Sequence, residues 1–332
     1  MKAGNISQTA WKRSVRRQLN SRREEALFTP SMEEPCTALR MADGGIVVTA
    51  TADTSGNVPE SADFAILKAV NDVASRGAEA IGVSVQLILP LSATEAQLKA
   101  LAGSMDAVCM QAGIQLTCLK AETNPCVNQI LTIATATGEA AGDSILRTED
   151  AAAGQDILLC GHIALEGTLR ILAEQEEELS RRFVPSFIRQ LKEQKKELFA
   201  AKAIAAAGKA GAAAIHQIGS GGILAALWEL AEASGIGMET ELSKISIRQE
   251  TVEICEFYNL NPYQMTSTGS FLITAKNGDA VVKALEGAGA RAVRLGVATD
   301  GNARVITSGE EQRYLDRPAP DELMLWRERN CH

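Results

Sequence analysis

The sequence predicts a two-domain α/β protein. A length of 332 residues and a hydrophobic share of 46% suffice for two ordinary cores. From Gly45 onward, helix-spaced apolar stripes alternate with short β-rich runs. A small-residue break at 151–154 precedes the apolar run 156–160 and sets the boundary between residues 26–150 and residues 151–332. Aromatics make up only 4%, so aliphatic side chains and alanine must fill both cores.

Residues 1–25 stand apart as a basic amphipathic N-terminal helix. Lys12, Arg13, Arg16, Arg17, Arg22 and Arg23 supply the charge, and Trp11, Val15 and Leu19 recur every four residues. Such a segment is either a solvated face with a docked apolar stripe or an arm laid over a phosphate-binding groove. The run 45–50 reads as a strand. Ser61 stands where a helix cap belongs, and the helix it starts ends near Gly77. Over 80–89, Val and Ile alternate with small residues, as in a strand; 93–112 reads as a helix, and 114–119 and 130–137 as strands. Past the break, 156–160 is a strand, 165–173 and 185–207 are helices, and 211–215 is a short buried strand. In 223–234, Ile223, Leu224, Leu227, Trp228 and Ala231 line one side of a helix that Gly235 stops. The segments 270–274, 279–286, 292–297 and 304–306 read as strand, helix, strand and strand.

Composition excludes several function classes. The net charge of −8 argues against nucleic-acid binding, because a polyanion is repelled over most of such a surface. No run of about 18 apolar residues is present, so no membrane span is expected. The basic N-terminus lacks the apolar segment and small-residue cleavage site of a secretory signal. Seven cysteines, an odd number without CxxC spacing, read as reduced thiols of a cytoplasmic protein. Cys160 and Cys255 lie in apolar runs and read as core. With His162, His216 and His332 the only histidines, a histidine-rich metal site is excluded.

Four groups of residues can carry chemistry. Gly219, Ser220, Gly221 and Gly222 lie between a strand and a helix, where open backbone N–H groups suit a nucleotide phosphate. Close helix–strand packing without a ligand is the alternative. Asn71 and Asp72 fall near the end of the 61–77 helix. A buried Asn71 needs partners, and Asp72, at the negative end of the helix dipole, needs a cation. That cation is Lys68 or Arg76, each four residues away, or Mg²⁺ held together with substrate phosphates. Glu33 and Glu34 are a further pair of carboxylates, either metal-directed or solvated. Asp53, after the first strand, is a ligand or a turn former.

Taken together, these segments resemble the AIR synthase superfamily, on its HypE-like hydrogenase-maturation branch. The strongest likeness is Ala213-Ala214-Ile215-His216-Gln217-Ile218-Gly219-Ser220-Gly221-Gly222 running into Ala226-Leu227-Trp228-Glu229-Leu230-Ala231-Glu232-Ala233-Ser234-Gly235. Ala69-Val70-Asn71-Asp72-Val73-Ala74-Ser75-Arg76-Gly77-Ala78 resembles the family's Asn-Asp helix, and Leu165-Glu166-Gly167-Thr168 the start of its second domain. The resemblance implies a mixed-sheet N-terminal domain that pairs with a second copy, and a C-terminal α/β domain. It also implies ATP between the domains, and phosphoryl transfer with Mg²⁺ held by aspartates.

Several family positions are altered. Glu33-Glu34-Pro35-Cys36 stands where a Gly-Glu-Asp-Ala-like loop is usual, Ala52-Asp53 replaces Thr-Asp, Cys118-Leu119-Lys120-Ala121-Glu122 replaces Gly-Gly-His-Thr-Glu, and Gln217 takes an aspartate's place. Asp72 stands clearly in place as a metal ligand and Asp53 less so; the loss of the other carboxylates weakens any Mg²⁺ site. Cys331 lacks the sequence context of the family's terminal cysteine. Three readings follow: a nucleotide-binding HypE-like homodimer with a thinned metal site, an active ATP-dependent enzyme in which Glu33, Glu34, Asp53, Asp72 and Glu122 share the metal, and a non-enzymatic scaffold for a protein partner.

Overall fold

The computed structural model describes residues 4–330 apart from 141, 143 and 144. Cys331 and His332 lie outside the described residues. The N-terminal segment is helical over a shorter stretch than expected. Helix α1 (Gln8–Ala10) runs on through a wide turn at Trp11–Val15 and a tight one at Arg16–Gln18. Trp11, Val15 and Leu19 are half-buried and the arginines face solvent.

The first sheet contains β1 (Cys36–Arg40), β2 (Ile46–Ser55), β3 (Ala78–Leu89), β4 (Gln115–Thr123) and β5 (Leu131–Ala140). Its order is β1-β2-β5-β3-β4, and all neighbours are antiparallel except β3 and β4. Helices α2 (Ser61–Ser75) and α3 (Glu95–Ala112) cover one face. In β2, Ile46, Val48, Ala50, Ala52 and Thr54 are buried on that side, with period-2 alternation setting which residues do so. Thr51, Asp53, Ile133 and Gln86 lie on the opposite face, which no described element covers. Ser61 is not the cap of α2 but its first residue; its hydroxyl donates to the Gly56 carbonyl at 3.1 Å. Thr94 forms a capping box with Gln97 at the start of α3.

The second half is built on seven strands. These are β6 (Asp156–Cys160), β7 (Ala212–Gln217), β8 (Gly237–Glu241), β9 (Phe271–Ala275), β10 (Ala292–Thr299), β11 (Arg304–Ser308) and β12 (Glu311–Tyr314). Their order is β12-β11-β8-β10-β6-β9-β7, with β8 and β11 the one parallel pair. The helices are α4 (Leu165–Glu174), α5 (Glu176–Arg182), α6 (Pro185–Glu193), α7 (Ala201–Lys209), α8 (Gly222–Ser234), α9 (Gln249–Tyr258), α10 (Gly278–Gly287) and α11 (Glu322–Asn330). The single helix expected over 185–207 is broken. Gln194–Leu198 tightens into a 3₁₀ turn, where Glu197 pairs with His162 and Arg248 and the Leu198 carbonyl accepts from Asn71. Tertiary bonds win over the helical pattern there.

The two halves share a core. Leu165 and Leu169 of α4, and Leu323 and Trp326 of α11, sit in one apolar cluster with Phe64 and Leu67 of α2. At the other end of α2, Arg76 is completely buried. Its guanidinium reaches Glu34 at 2.7 Å, the Thr148 hydroxyl at 3.2 Å and the Ile215 carbonyl of β7, so one side chain ties three segments together. Removing Glu34 would strand a buried charge. Glu34→Ala is therefore expected to lower stability by about 3 kcal/mol or more, measured by urea unfolding; a loss near that of a surface ion pair, under about 1 kcal/mol, would refute the clasp.

Candidate functional site

Helix α2 turns a polar row toward the second half of the chain. Lys68, Asp72 and Arg76 are spaced four residues apart and therefore share one face. Neither cation hydrogen-bonds Asp72. The Asp72 carboxylate instead accepts from the Gln217 amide of β7 at 2.6 Å. The same amide nitrogen reaches the Lys68 carbonyl at 3.1 Å, and the Gln217 oxygen accepts from Gly269 N–H at 3.2 Å. Burial pushes the Asp72 carboxyl above the usual carboxylate range, with Lys68, the Gln217 bond, Arg76 and His216 pulling the other way.

Asn71 is buried and ties the halves together, its amide donating to Leu198 O at 2.8 Å while its Oδ1 has no donor. The Lys68 ammonium makes no hydrogen bond or ion pair to any described residue. It lies beside the glycine loop: a Cβ built on Gly219 would stand 3.7 Å from Lys68 Nζ. Gly219 and Ser220 are half-buried, and neither N–H donates to a described residue.

The mouth of α8 differs from expectation. The Gly221 N–H is not open; it donates to the Asp321 carboxylate at 2.7 Å, and Asp321 also accepts from Leu323 N–H at 2.9 Å. Asp321 is buried, and that burial raises its carboxyl pKa against the Gly221 bond. Gly222, at φ +68, is a packing residue: a Cβ there would sit 2.5 Å from the Tyr263 carbonyl. The structure thus divides the loop. Gly219 lies against Lys68 and the N–H groups of Gly219 and Ser220 are unpaired, whereas Gly221 and Gly222 are closed by the chain itself.

The candidate metal ligands are not brought together. Asp53 pairs in register with Ile133 on the open face of the first sheet, and Glu122 lies on that face beside Ile88. Asp72 belongs to the helix on the other side. Glu34 is spent on Arg76, and Glu33 accepts from Gln8 at 2.9 Å. Among the described residues, no three His, Cys, Asp or Glu side chains gather as a metal site requires. The residues around Asp72 therefore do not fit Mg²⁺: an amide N–H fills its first coordination position and two cations flank it.

Further buried polar groups act on this row. Glu166 is buried and bound by Arg170 at 3.0 Å, the Thr266 hydroxyl at 2.7 Å and Thr268 N–H at 2.9 Å. Burial opposes its ionisation, but Arg170, Lys68 and these bonds hold its carboxyl below the usual range. His216 lies between the Thr148 hydroxyl at 3.4 Å and Glu229 at 3.0 Å. The N-terminal segment closes over this side through Lys12–Glu232 at 2.8 Å. A cavity of about 370 Å³ remains beneath it, bordered by Trp11, Phe28, Glu34, Arg147 and Thr148. Cys36 is buried with its thiol on Asp72 O at 3.3 Å, and burial pushes its pKa well up. Sequence reasoning missed Asp321 and Glu166 as members of the groove. The four-residue spacing of Lys68, Asp72 and Arg76 was the signal that pointed to the row.

Because the folded-state pKa of Asp72 is raised, the native chain holds that proton to higher pH than the unfolded chain does. Ionising Asp72 thus costs stability as pH rises out of the ordinary carboxylate range. Asp72→Asn should melt at or above the wild-type temperature at pH 7, and the difference should shrink as pH falls through the carboxylate range. A destabilised variant at pH 7 would contradict this balance.

Comparison with known proteins fits the two-part architecture. Residues 35–140 match the AIR synthase related protein, N-terminal domain, and residues 152–308 match the AIR synthase related protein, C-terminal domain. A carbamoyl dehydratase HypE of Rhizobium leguminosarum bv. viciae is 25% identical over 293 residues, 85% of this chain and 81% of the relative. The solved HypE–HypF complex contains a chain with a TM-score of 0.69 at 18% identity, covering 85% of this chain and 93% of that one. A hydrogenase maturation protein HypE solved in complex with ATP has a TM-score of 0.65 at 17% identity, covering 96% and 94%. At such identities the solved structures establish the fold alone. With both domain matches in order and together spanning most of its length, the chain belongs to the AIR synthase related family.

Proposed function

We propose that this protein is a HypE-like nucleotide-binding protein that takes the phosphates of ATP in the groove between its two halves. The observation that carries the reading is the open edge of the glycine loop. Gly219 lies beside the Lys68 ammonium, which makes no hydrogen bond or ion pair to a described residue, and the N–H groups of Gly219 and Ser220 are both undonated. Lys68 binds as a point charge, the two N–H groups orient the phosphate, and the Ser220 hydroxyl supplies a further donor. The carbamoyl dehydratase relative and the HypE structure solved with ATP support this choice of ligand. The HypE–HypF complex supports a protein partner in hydrogenase maturation.

The same reading includes a homodimer. The uncovered face of the first sheet, with Thr51 hydrogen-bonded to Thr135 at 2.9 Å across the strands and Ile133 beside them, is the surface it assigns to a second copy. No helix among the described residues is long and apolar enough to cross a membrane.

Two measurements test these assignments. ATP at 100 times its Kd should stabilise the chain by about 2.7 kcal/mol. Gly219 has no positive φ, so Gly219→Val should melt near wild type without ligand yet lose most of the ATP shift. No shift with the wild-type chain would sink the nucleotide reading. Sedimentation equilibrium should give the dimer mass, and Ile133→Lys should reduce it to the monomer; a wild-type monomer would remove the dimer from the account.

A further inference from the structure

We infer that Lys68 takes the part a divalent metal would play, so that the groove binds a polyphosphate as the free anion, without Mg²⁺. This inference takes its ligand's size from the nucleotide reading above and its charge balance from the residues themselves.

A Mg²⁺ ion needs oxygen donors at near-octahedral positions. Around Asp72 it would meet the Gln217 N–H at 2.6 Å from the carboxylate, with Lys68 and Arg76 as neighbouring positive charges. The other nearby carboxylates are engaged: Glu34 by Arg76, and Glu166 by Arg170, Thr266 and Thr268. An anion meets the opposite situation. The Lys68 ammonium has three donors and no acceptor from the described residues. Gly219 stands beside it, a Cβ built there lying 3.7 Å from Lys68 Nζ, and the Gly219 and Ser220 N–H groups donate to no described residue. The Thr268 hydroxyl, on the segment that binds Glu166, is 1% exposed and also has no partner. The α8 terminus proper is not part of this seat, because Asp321 holds Gly221 N–H. Lys68 acts on Asp72 and Glu166 through space alone, with no hydrogen bond to either, so its donors remain open to a ligand.

Isothermal titration of the full chain with sodium tripolyphosphate and with ATP, each in EDTA and in excess Mg²⁺, tests this. Both ligands should bind in EDTA. Excess Mg²⁺ should weaken binding, because the chelate carries less negative charge to meet Lys68. Lys68→Met should raise Kd at least about tenfold, the loss of one charge-assisted bond. Lys68→Arg should recover much of it, and unliganded melting curves check that both variants fold. Binding that requires Mg²⁺ overturns the inference and leaves the nucleotide reading intact; ATP binding that ignores Lys68→Met overturns the inference and removes Lys68, but not ATP, from the nucleotide reading. Tripolyphosphate binding in EDTA without ATP binding keeps the inference and removes the nucleotide reading. Failure of both ligands overturns both.

Discussion

The constraint on which the molecule turns is the buried polar row on α2. A helix that packs on a sheet with one side normally leaves the other to water. Here nearly all of α2 is buried, so Asp72 and Arg76 must find partners inside the protein. Arg76 finds Glu34, Thr148 and the β7 backbone; Asp72 finds the Gln217 amide; Asn71 finds Leu198. Each of these bonds crosses from α2 to another segment. The placement of the second sheet against the first is thus written in the hydrogen-bond needs of one helix.

Lys68 is the member of the row left without a protein acceptor, and it is also the one that is not fully buried. That pairing of position and missing partner separates a structural residue from a ligand-directed one. The nearby α8 terminus makes the contrast clear. Its Gly221 N–H is satisfied by Asp321, and α11 beyond is anchored by Trp326 in the core and by Arg327 on Ser55 at 3.0 Å and on Glu174. A helix N-terminus binds whatever carboxylate or phosphate is closest; in this chain an internal carboxylate occupies it.

Much of the fold was legible because it is local. The strand at 156–160, the helices begun near Ser61 and Gly222, and the stop at Gly235 follow from periodicity and caps within a few residues. The glycine loop and the Asn71-Asp72 pair were legible as site residues by type. What they bind inside the fold was not, because Gln217 lies 145 residues from Asp72 and Asp321 lies 100 from Gly221. Sequence reading offered Lys68, Arg76 or Mg²⁺ as the counter-charge of Asp72; the bond is made by a neutral amide. Asp53 shows a different lesson. Sequence reading ends the first strand at residue 50 and puts Asp53 after it; in the fold the strand runs on to Ser55, and alternation with buried Ala52 and Thr54 places Asp53 on the face opposite α2.

The central proposal is that an anion meets Lys68 and the unpaired N–H groups of Gly219 and Ser220, with no metal ion beside Asp72. A crystal grown with an ATP analogue and Mn²⁺ tests it most directly. Phosphate oxygens are expected within hydrogen-bond reach of Lys68 Nζ and of Gly219 or Ser220 N, with no anomalous peak beside Asp72. A manganese peak on the Asp72 carboxylate, with Gln217 turned away, would contradict it.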